Sequence, residues 1–261
     1  MDLGLRGKTA LVLGGGGGLG KGIALALARE GARVAIAGRT AATLDQAVQE
    51  IEALGSQGLA LTWDISDLSV IDARVADIER VFGPVDILVN NSGGPPPTPA
   101  AGQDPALWSK QFQAMVLCLI AITDRVLPSM RERKWGRIIT SASGGVVVPI
   151  PNLAISNALR LSLLGWSKTL SREVARDGIT VNVVLPGRIA TDRVRSLDET
   201  KAKRESRTVE DIERESKASI PIGRYGETGE YGTVVAFLAS TQASYITGST
   251  IRVDGGLIAS I

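Results

Sequence analysis

Short apolar runs alternate with longer segments of helical periodicity along almost the whole chain. Thr9–Leu13 is a strand-length apolar run that ends in five consecutive glycines, and an alanine- and leucine-rich stretch with helical spacing follows from Leu19 to Glu30. The same alternation predicts strands at Arg33–Ala37, Leu59–Trp63, Asp86–Asn90, Arg137–Ser141 and Thr180–Leu185. Helices are predicted at Ala41–Leu54, Leu68–Phe82, Pro105–Arg133 and Leu153–Asp177, with a further helix at Glu230–Ala239 and a closing strand at Gly248–Val253. Strands separated by helices imply a parallel sheet of about seven strands with helices on both faces, a three-layer, doubly wound α/β architecture. No repeat or linker divides residues 1–261, so one domain is expected.

One segment breaks the pattern. Between Thr191 and Lys217, 16 of 27 residues are charged, with both signs at helical spacing. This predicts solvated, pair-laced helices forming a flap over about residues 191–220.

Composition narrows the chemistry. The chain has 29 Lys plus Arg against 27 Asp plus Glu, a formal charge of +2, which does not suggest a nucleic-acid surface. The single cysteine, Cys118, excludes an internal disulfide or a Cys-based zinc site and reads as a buried packing residue in Val116–Ile120. The chain contains no histidine, so imidazole bases, histidine triads and histidine metal sites are excluded, and no metal site is expected. Met1–Lys8 carries Asp2, Arg6 and Lys8 and does not resemble a secretory signal, so a cytoplasmic location is expected. The longest uncharged run, between Arg137 and Arg160, is interrupted by Gly144, Gly145, Pro149 and Pro151, unlike a membrane helix. No membrane partner is expected.

Candidate chemistry begins at the glycine turn. Glycines at 14, 18 and 20, between a strand and a helix, let the backbone approach a pyrophosphate while helix amides point at the anion. Later segments add Asp64 after the third strand, Asn90-Asn91-Ser92-Gly93 after the fourth, Pro186-Gly187 after the sixth, and the ending ITGSTIRVDGG from Ile246 to Gly256. With these motifs the chain resembles the short-chain dehydrogenase/reductase family over nearly its full length. Within the family it looks most like 3-oxoacyl-(acyl-carrier-protein) reductases, as DGITVNVVLPG and IPIGRYGE suggest.

The resemblance implies a Rossmann fold, a small-molecule carbonyl or alcohol substrate, and a homotetramer built on the two long helices and the C-terminal strand. It implies that Gly14, Gly16, Gly17, Gly18, Leu19 and Gly20 hold the pyrophosphate and that Asp64 and Ile65 hold the adenine. Asn91, Ser92 and Gly93 fall on the adenosine ribose side, and Pro186, Gly187 and Ile189 flank the nicotinamide. Asp64 as a helix cap and Asn91 as a turn residue are the alternatives. The second strand ends in Ala37-Gly38-Arg39-Thr40, where a carboxylate would repel a 2′-phosphate and Arg39 instead supplies a charge-assisted donor. NADP(H) is therefore favoured over NAD(H), with a merely solvated Arg39 as the alternative.

The family's catalytic groups are a tyrosine, a lysine four residues later, a serine thirteen residues before the tyrosine, and an upstream asparagine. Counting back from Gly165–Leu170 places Ser156 at the tyrosine position, Arg160 at the lysine position and Ser143 at the serine position. Aligning Trp108 with the family tryptophan puts Met115 at the asparagine position. Two readings are open. Either Ser143, Ser156 and Arg160 polarise a carbonyl while water supplies the proton, or Ser156 and Arg160 are only helix-surface residues lining a cleft and the chain is a catalytically silent nucleotide binder. Ser143 as a plain turn residue is a third possibility. Asn152 is expected to cap the helix that carries Ser156 rather than to join the site, and Arg188 to face solvent, with contact to an acidic substrate as the alternative; the loop Gly93–Pro99 is expected to be stiff and either to line the pocket or to serve as a rigid connector into the long helix. Tyr225, Tyr231 and Tyr245 take no assignment from spacing.

Overall fold

Thr9–Leu13 forms β1 with all five residues buried, as expected of a strand covered on both faces. The computed structural model describes residues 2–261; Met1, the first residue of the segment Met1–Lys8, lies outside the described residues. The remaining strands are β2 (Arg33–Gly38), β3 (Gly58–Thr62), β4 (Ile87–Asn90), β5 (Gly136–Ser141), β6 (Ile179–Pro186) and β7 (Thr250–Val253). All pairings are parallel and the order is β3-β2-β1-β4-β5-β6-β7. Strand order reverses between β1 and β4, and that reversal opens a crevice at the carboxyl ends of the strands.

Alternate side chains of the strands feed two cores. Leu11, Leu13 and Leu88 point into the layer of α3 (Ile71–Phe82), α5 (Cys118–Glu132) and α6 (Ala154–Val174), where Ile78, Leu119 and Leu163 meet them. Val12, Ile36 and Val89 point the other way, onto Ile23, Leu44 and Val235 of α1 (Gly18–Arg29), α2 (Ala41–Ala53) and α9 (Thr228–Ala239). The expected helix Pro105–Arg133 is one helical run with an interruption. It begins as α4 (Pro105–Phe112), widens into a π-type turn over Gln113–Leu117, and continues as α5. This run is apolar enough by length and composition to cross a membrane, and here Met115, Val116, Cys118, Leu119 and Ile122 pack into the core.

Three expectations are corrected. The charged segment forms α7 (Asp192–Glu205) and α8 (Val209–Ala218), yet it is not wholly solvated, because Asp198, Ala202, Ile212 and Ser216 are buried. Asp198 lies 3.0 Å from Arg188 Nη2 and accepts the Tyr225 hydroxyl at 2.8 Å, so Arg188 is half-buried and paired under the flap instead of standing free in solvent. Asn152 does not cap α6. It sits one residue too early, in left-handed backbone at φ +59°, and its carbonyl accepts the Thr98 amide at 2.7 Å while Leu153 occupies the cap position.

Candidate active site at the carboxyl edge of the sheet

The turn after β1 is built for close approach. Gly14 has φ +65° and Gly18 φ +51°, and a β-carbon at Gly20 would lie 2.1 Å from the Gly14 carbonyl oxygen. The start of α1 therefore rests directly on the turn. Its cap residue, Gly17, offers no side chain, and the first helical turn carries no acidic residue. The amides there lack a side-chain acceptor, and a β-carbon at Gly17 would meet nothing within 4 Å. Free amides at the positive end of a helix dipole, with open space before them, fit a pyrophosphate.

Around this turn, Arg39 and Thr40 are exposed at the end of β2. Asp64 is exposed after β3 and accepts both the Ser66 hydroxyl at 2.7 Å and the Ser66 amide at 3.0 Å. These bonds hold its carboxyl below the usual range, and the charge of Arg39 adds to the effect. Asp64 thus shapes a local turn beside half-buried Ile65, while Asp67 caps the helical turn that follows. Asn91 Nδ2 donates to the Leu13 carbonyl at 3.0 Å and braces β4 against β1. Ser92 is buried and its hydroxyl has no partner among the described residues. On the far side of the crevice, the Gly187 amide is bonded to the Val253 carbonyl at 2.9 Å, and Pro186 and buried Ile189 flank it.

The catalytic candidates converge at the ends of β4 and β5. Ser143 caps a short helical turn by accepting the Gly145 amide at 3.1 Å, which leaves its own proton free to donate. Ser156 and Arg160, four residues apart, share one face of α6. Each is only 8% exposed, so neither stands free on the outer surface of the helix. The Ser156 hydroxyl makes no hydrogen bond among the described residues, whereas the Arg160 guanidinium is engaged. It donates to the carbonyls of Ser92 at 2.9 Å, Gly93 at 3.1 Å and Ser141 at 3.3 Å. Burial pushes its pKa down to about 10; Tyr231 opposes the shift and the neighbouring charge of Arg193 adds to it.

Met115 lies in the π-type turn and is 1% exposed, so an apolar side chain fills the position where the resemblance implies asparagine. No tyrosine takes the missing role. Tyr231 is fully buried on α9, with its hydroxyl 2.9 Å from Ser141 Oγ and donating to the Val184 carbonyl at 3.2 Å, and burial raises its pKa. Tyr225 is tied to Asp198, and Tyr245 is exposed. The loop Gly93–Pro99 is tied down at both ends, by Arg160 at Gly93 and by the Thr98 amide on the Asn152 carbonyl. The pattern of charges in the flap does not single out Arg193, whose Nη2 donates to the Pro95 carbonyl at 2.8 Å. Its place just after the helix cap Thr191 is the signal that could have found it.

A glycine turn under an uncapped helix, at the order reversal of a parallel sheet, defines a dinucleotide-binding α/β protein. A family model described as Enoyl-(Acyl carrier protein) reductase matches residues 15–258, and the chain belongs to this short-chain dehydrogenase/reductase family. Nodulation protein G of Azospirillum brasilense is 38% identical over 255 residues, covering 96% of this chain and 98% of the relative. The 3-oxoacyl-(acyl-carrier-protein) reductase FabG of Escherichia coli is 37% identical over 253 residues, covering 96% and 97%. Among solved structures, the L-sorbose reductase of Gluconobacter frateurii complexed with NADPH and L-sorbose superposes with a TM-score of 0.94 at 30% identity, over 100% of both chains.

Proposed function

We propose that this protein is an NADP(H)-dependent oxidoreductase that reduces a carbonyl, or oxidises the corresponding alcohol, with a divergent catalytic set. The observation that carries this reading is the uncapped start of α1 behind the Gly14–Gly20 turn, with exposed Arg39 at the end of β2, no carboxylate in the strand end itself, and the neighbouring Asp64 carboxyl already engaged by Ser66. The turn residues take the pyrophosphate and Arg39 with Thr40 takes the 2′-phosphate. Asp64 and Ile65 border the adenine, Asn91, Ser92 and Gly93 the ribose side, and Pro186, Gly187 and Ile189 the nicotinamide. The relatives agree with this reading: FabG of Escherichia coli is a 3-oxoacyl-(acyl-carrier-protein) reductase, and the sorbose reductase was solved with NADPH.

When bound, NADP(H) supplies the hydride. The chain's own part is to hold and polarise the carbonyl. Ser143 and Ser156 each retain a hydroxyl proton to donate to the carbonyl oxygen, where negative charge develops. Arg160 fixes the loop carbonyls beneath them and places a permanent positive charge behind Ser156. Neither an aliphatic hydroxyl nor a guanidinium is acidic enough to give up a proton near neutral pH, so water protonates the product oxygen.

The same reading includes a cytoplasmic homotetramer. Its support is apolar surface on the two long helical runs, where Phe112 of α4 and Leu161 of α6 are exposed. Sedimentation of the full chain tests the assembly. The central test is a parallel titration of cofactor-stripped protein with NADPH and NADH, followed by NADPH consumption across a panel of carbonyl compounds. Tighter NADPH binding and consumption with at least one carbonyl are expected; binding of neither nucleotide overturns the reading.

A further inference from the structure

Two guanidinium groups meet at the mouth of the cleft without a carboxylate between them. A β-carbon at Gly94 would lie 3.4 Å from Arg193 Nη2 and 3.9 Å from Arg160 Nη2, so both cations converge on one point of the turn after β4. They reach it from different elements, Arg160 from the buried face of α6 and Arg193 from the first turn of the flap helix α7. Neither takes part in an ion pair among the described residues. The contrast with Arg188 is direct, because that nearby cation is balanced by buried Asp198 at 3.0 Å.

Electrostatics points the same way. Desolvation lowers the pKa of Arg193 with no carboxylate opposing it, and Arg193 in turn disfavours the charge on Arg160. Arg160 is buried and Arg193 is exposed beside it; like charges brought together repel, and an anion between or beside them relieves that repulsion. Donors are also left over. A guanidinium has five N–H bonds, and the only hydrogen bond Arg193 makes among the described residues is from Nη2 to the Pro95 carbonyl. The rest of its fork is free for the bidentate geometry that a carboxylate accepts.

Resting on the reductase reading above, we infer that the substrate is an oxo acid, whose carbonyl oxygen lies under the Ser143 and Ser156 hydroxyls and whose carboxylate is held by the free edge of Arg193, with Arg160 behind it. A neutral ketone leaves both charges uncompensated and binds less well. Arg193 is a specificity residue in this scheme and takes no part in the hydride step.

The test compares short 2-oxo and 4-oxo acids, each beside its methyl ester, using the full chain and its Arg193→Gln and Arg193→Lys variants. Binding to the NADP+ complex is measured by calorimetry and turnover by NADPH consumption. The acids are expected to bind at least about tenfold more tightly than their esters, a difference of about 1.4 kcal/mol. Arg193→Gln is expected to shrink that ratio to about threefold or less, while Arg193→Lys keeps most of it. Equal binding of acid and ester overturns the inference, as does a preference that survives Arg193→Gln. Inorganic phosphate outcompeting every acid also overturns it and points to a phosphate-bearing substrate. The two readings fail separately: acid-selective binding without turnover of any carbonyl removes the reductase and keeps the anion site, and turnover of acids and esters alike does the reverse.

Discussion

The Arg160 guanidinium donates to the Ser92 carbonyl at 2.9 Å and so fastens α6 to the end of β4. The same group reaches the carbonyls of Gly93 and Ser141, and one side chain thus ties together three segments of the cleft floor. Arg160→Met keeps the bulk and removes every donor. Unpaired carbonyls cost about 1–3 kcal/mol each, and relief of the buried charge offsets part of that. The expected loss is on the order of 3 kcal/mol in urea unfolding, with Arg160→Lys recovering part of it. A change below about 0.5 kcal/mol, the range of an ordinary surface substitution, would show that the clamp is idle.

Ser156 is a buried residue whose hydroxyl has no hydrogen-bond partner among the described residues, and Ser143, which accepts the Gly145 amide, still has a proton to give. If both donate to the carbonyl oxygen, Ser156→Ala removes one of two donors aimed at developing charge. Turnover is expected to fall about 100-fold, with NADPH affinity nearly unchanged. The two are separated by steady-state kinetics and a direct cofactor titration. Unchanged kcat removes Ser156 from the mechanism.

Much of the fold and part of the site are legible in the amino-acid sequence. The strands β1 and β2 start at the residues the apolar pattern indicates, because a strand covered on both faces leaves an unbroken apolar run. The glycine turn and the register of Ser143, Ser156 and Arg160 are equally local signals, and the fold brings those three residues to one edge. The destination of Arg160 is not local. Which carbonyls face it depends on how β4 and β5 end in space, and no helical spacing encodes that. Asp198 is a second case: mixed charges at helical spacing read as solvated, and only the packing of α7 over Arg188 and Tyr225 selects this one carboxylate for burial. The π-type turn at Gln113–Leu117 leaves no mark in an apolar run that any helix of that length could carry.

Arg39 is exposed at the end of β2, follows Gly38, and has a neighbouring carboxyl, Asp64, already engaged by Ser66. A guanidinium free of a strong local partner is available to a 2′-phosphate. Arg39→Glu replaces a donor with a charge that repels the phosphate and can accept from a ribose 2′-hydroxyl. The change is expected to weaken NADPH binding about 100-fold or more and to leave NADH equal or improved, because charged hydrogen bonds are worth about 1.5–3 kcal/mol and repulsion adds to that. Parallel fluorescence titrations with the two nucleotides read both shifts. An unaltered NADPH affinity assigns phosphate recognition elsewhere in the turn.

Cys118 opens α5 immediately after the π-type turn, fully buried, with Sγ 3.3 Å from the Ala114 carbonyl. Burial pushes the thiol up to about 12 from an ordinary value of 9.0. The consequence for stability follows from proton counting. Below about pH 9 both folded and unfolded chains keep the thiol proton and the group contributes no pH dependence. Between about 9 and about 12 the unfolded chain loses that proton while the folded chain retains it, so the unfolded state binds fewer protons and stability falls as pH rises. Lysines and tyrosines titrate in the same range, which makes the informative quantity the difference between wild type and Cys118→Ala. At pH 10 the wild type is expected to have lost about 1 kcal/mol more than the variant, relative to their separation at pH 8. The same burial makes alkylation of Cys118 at neutral pH track global unfolding in urea. Parallel pH curves for the two proteins, or labelling of the native chain at the rate of a free thiol, would mean that this part of α5 opens to water without the rest of the fold.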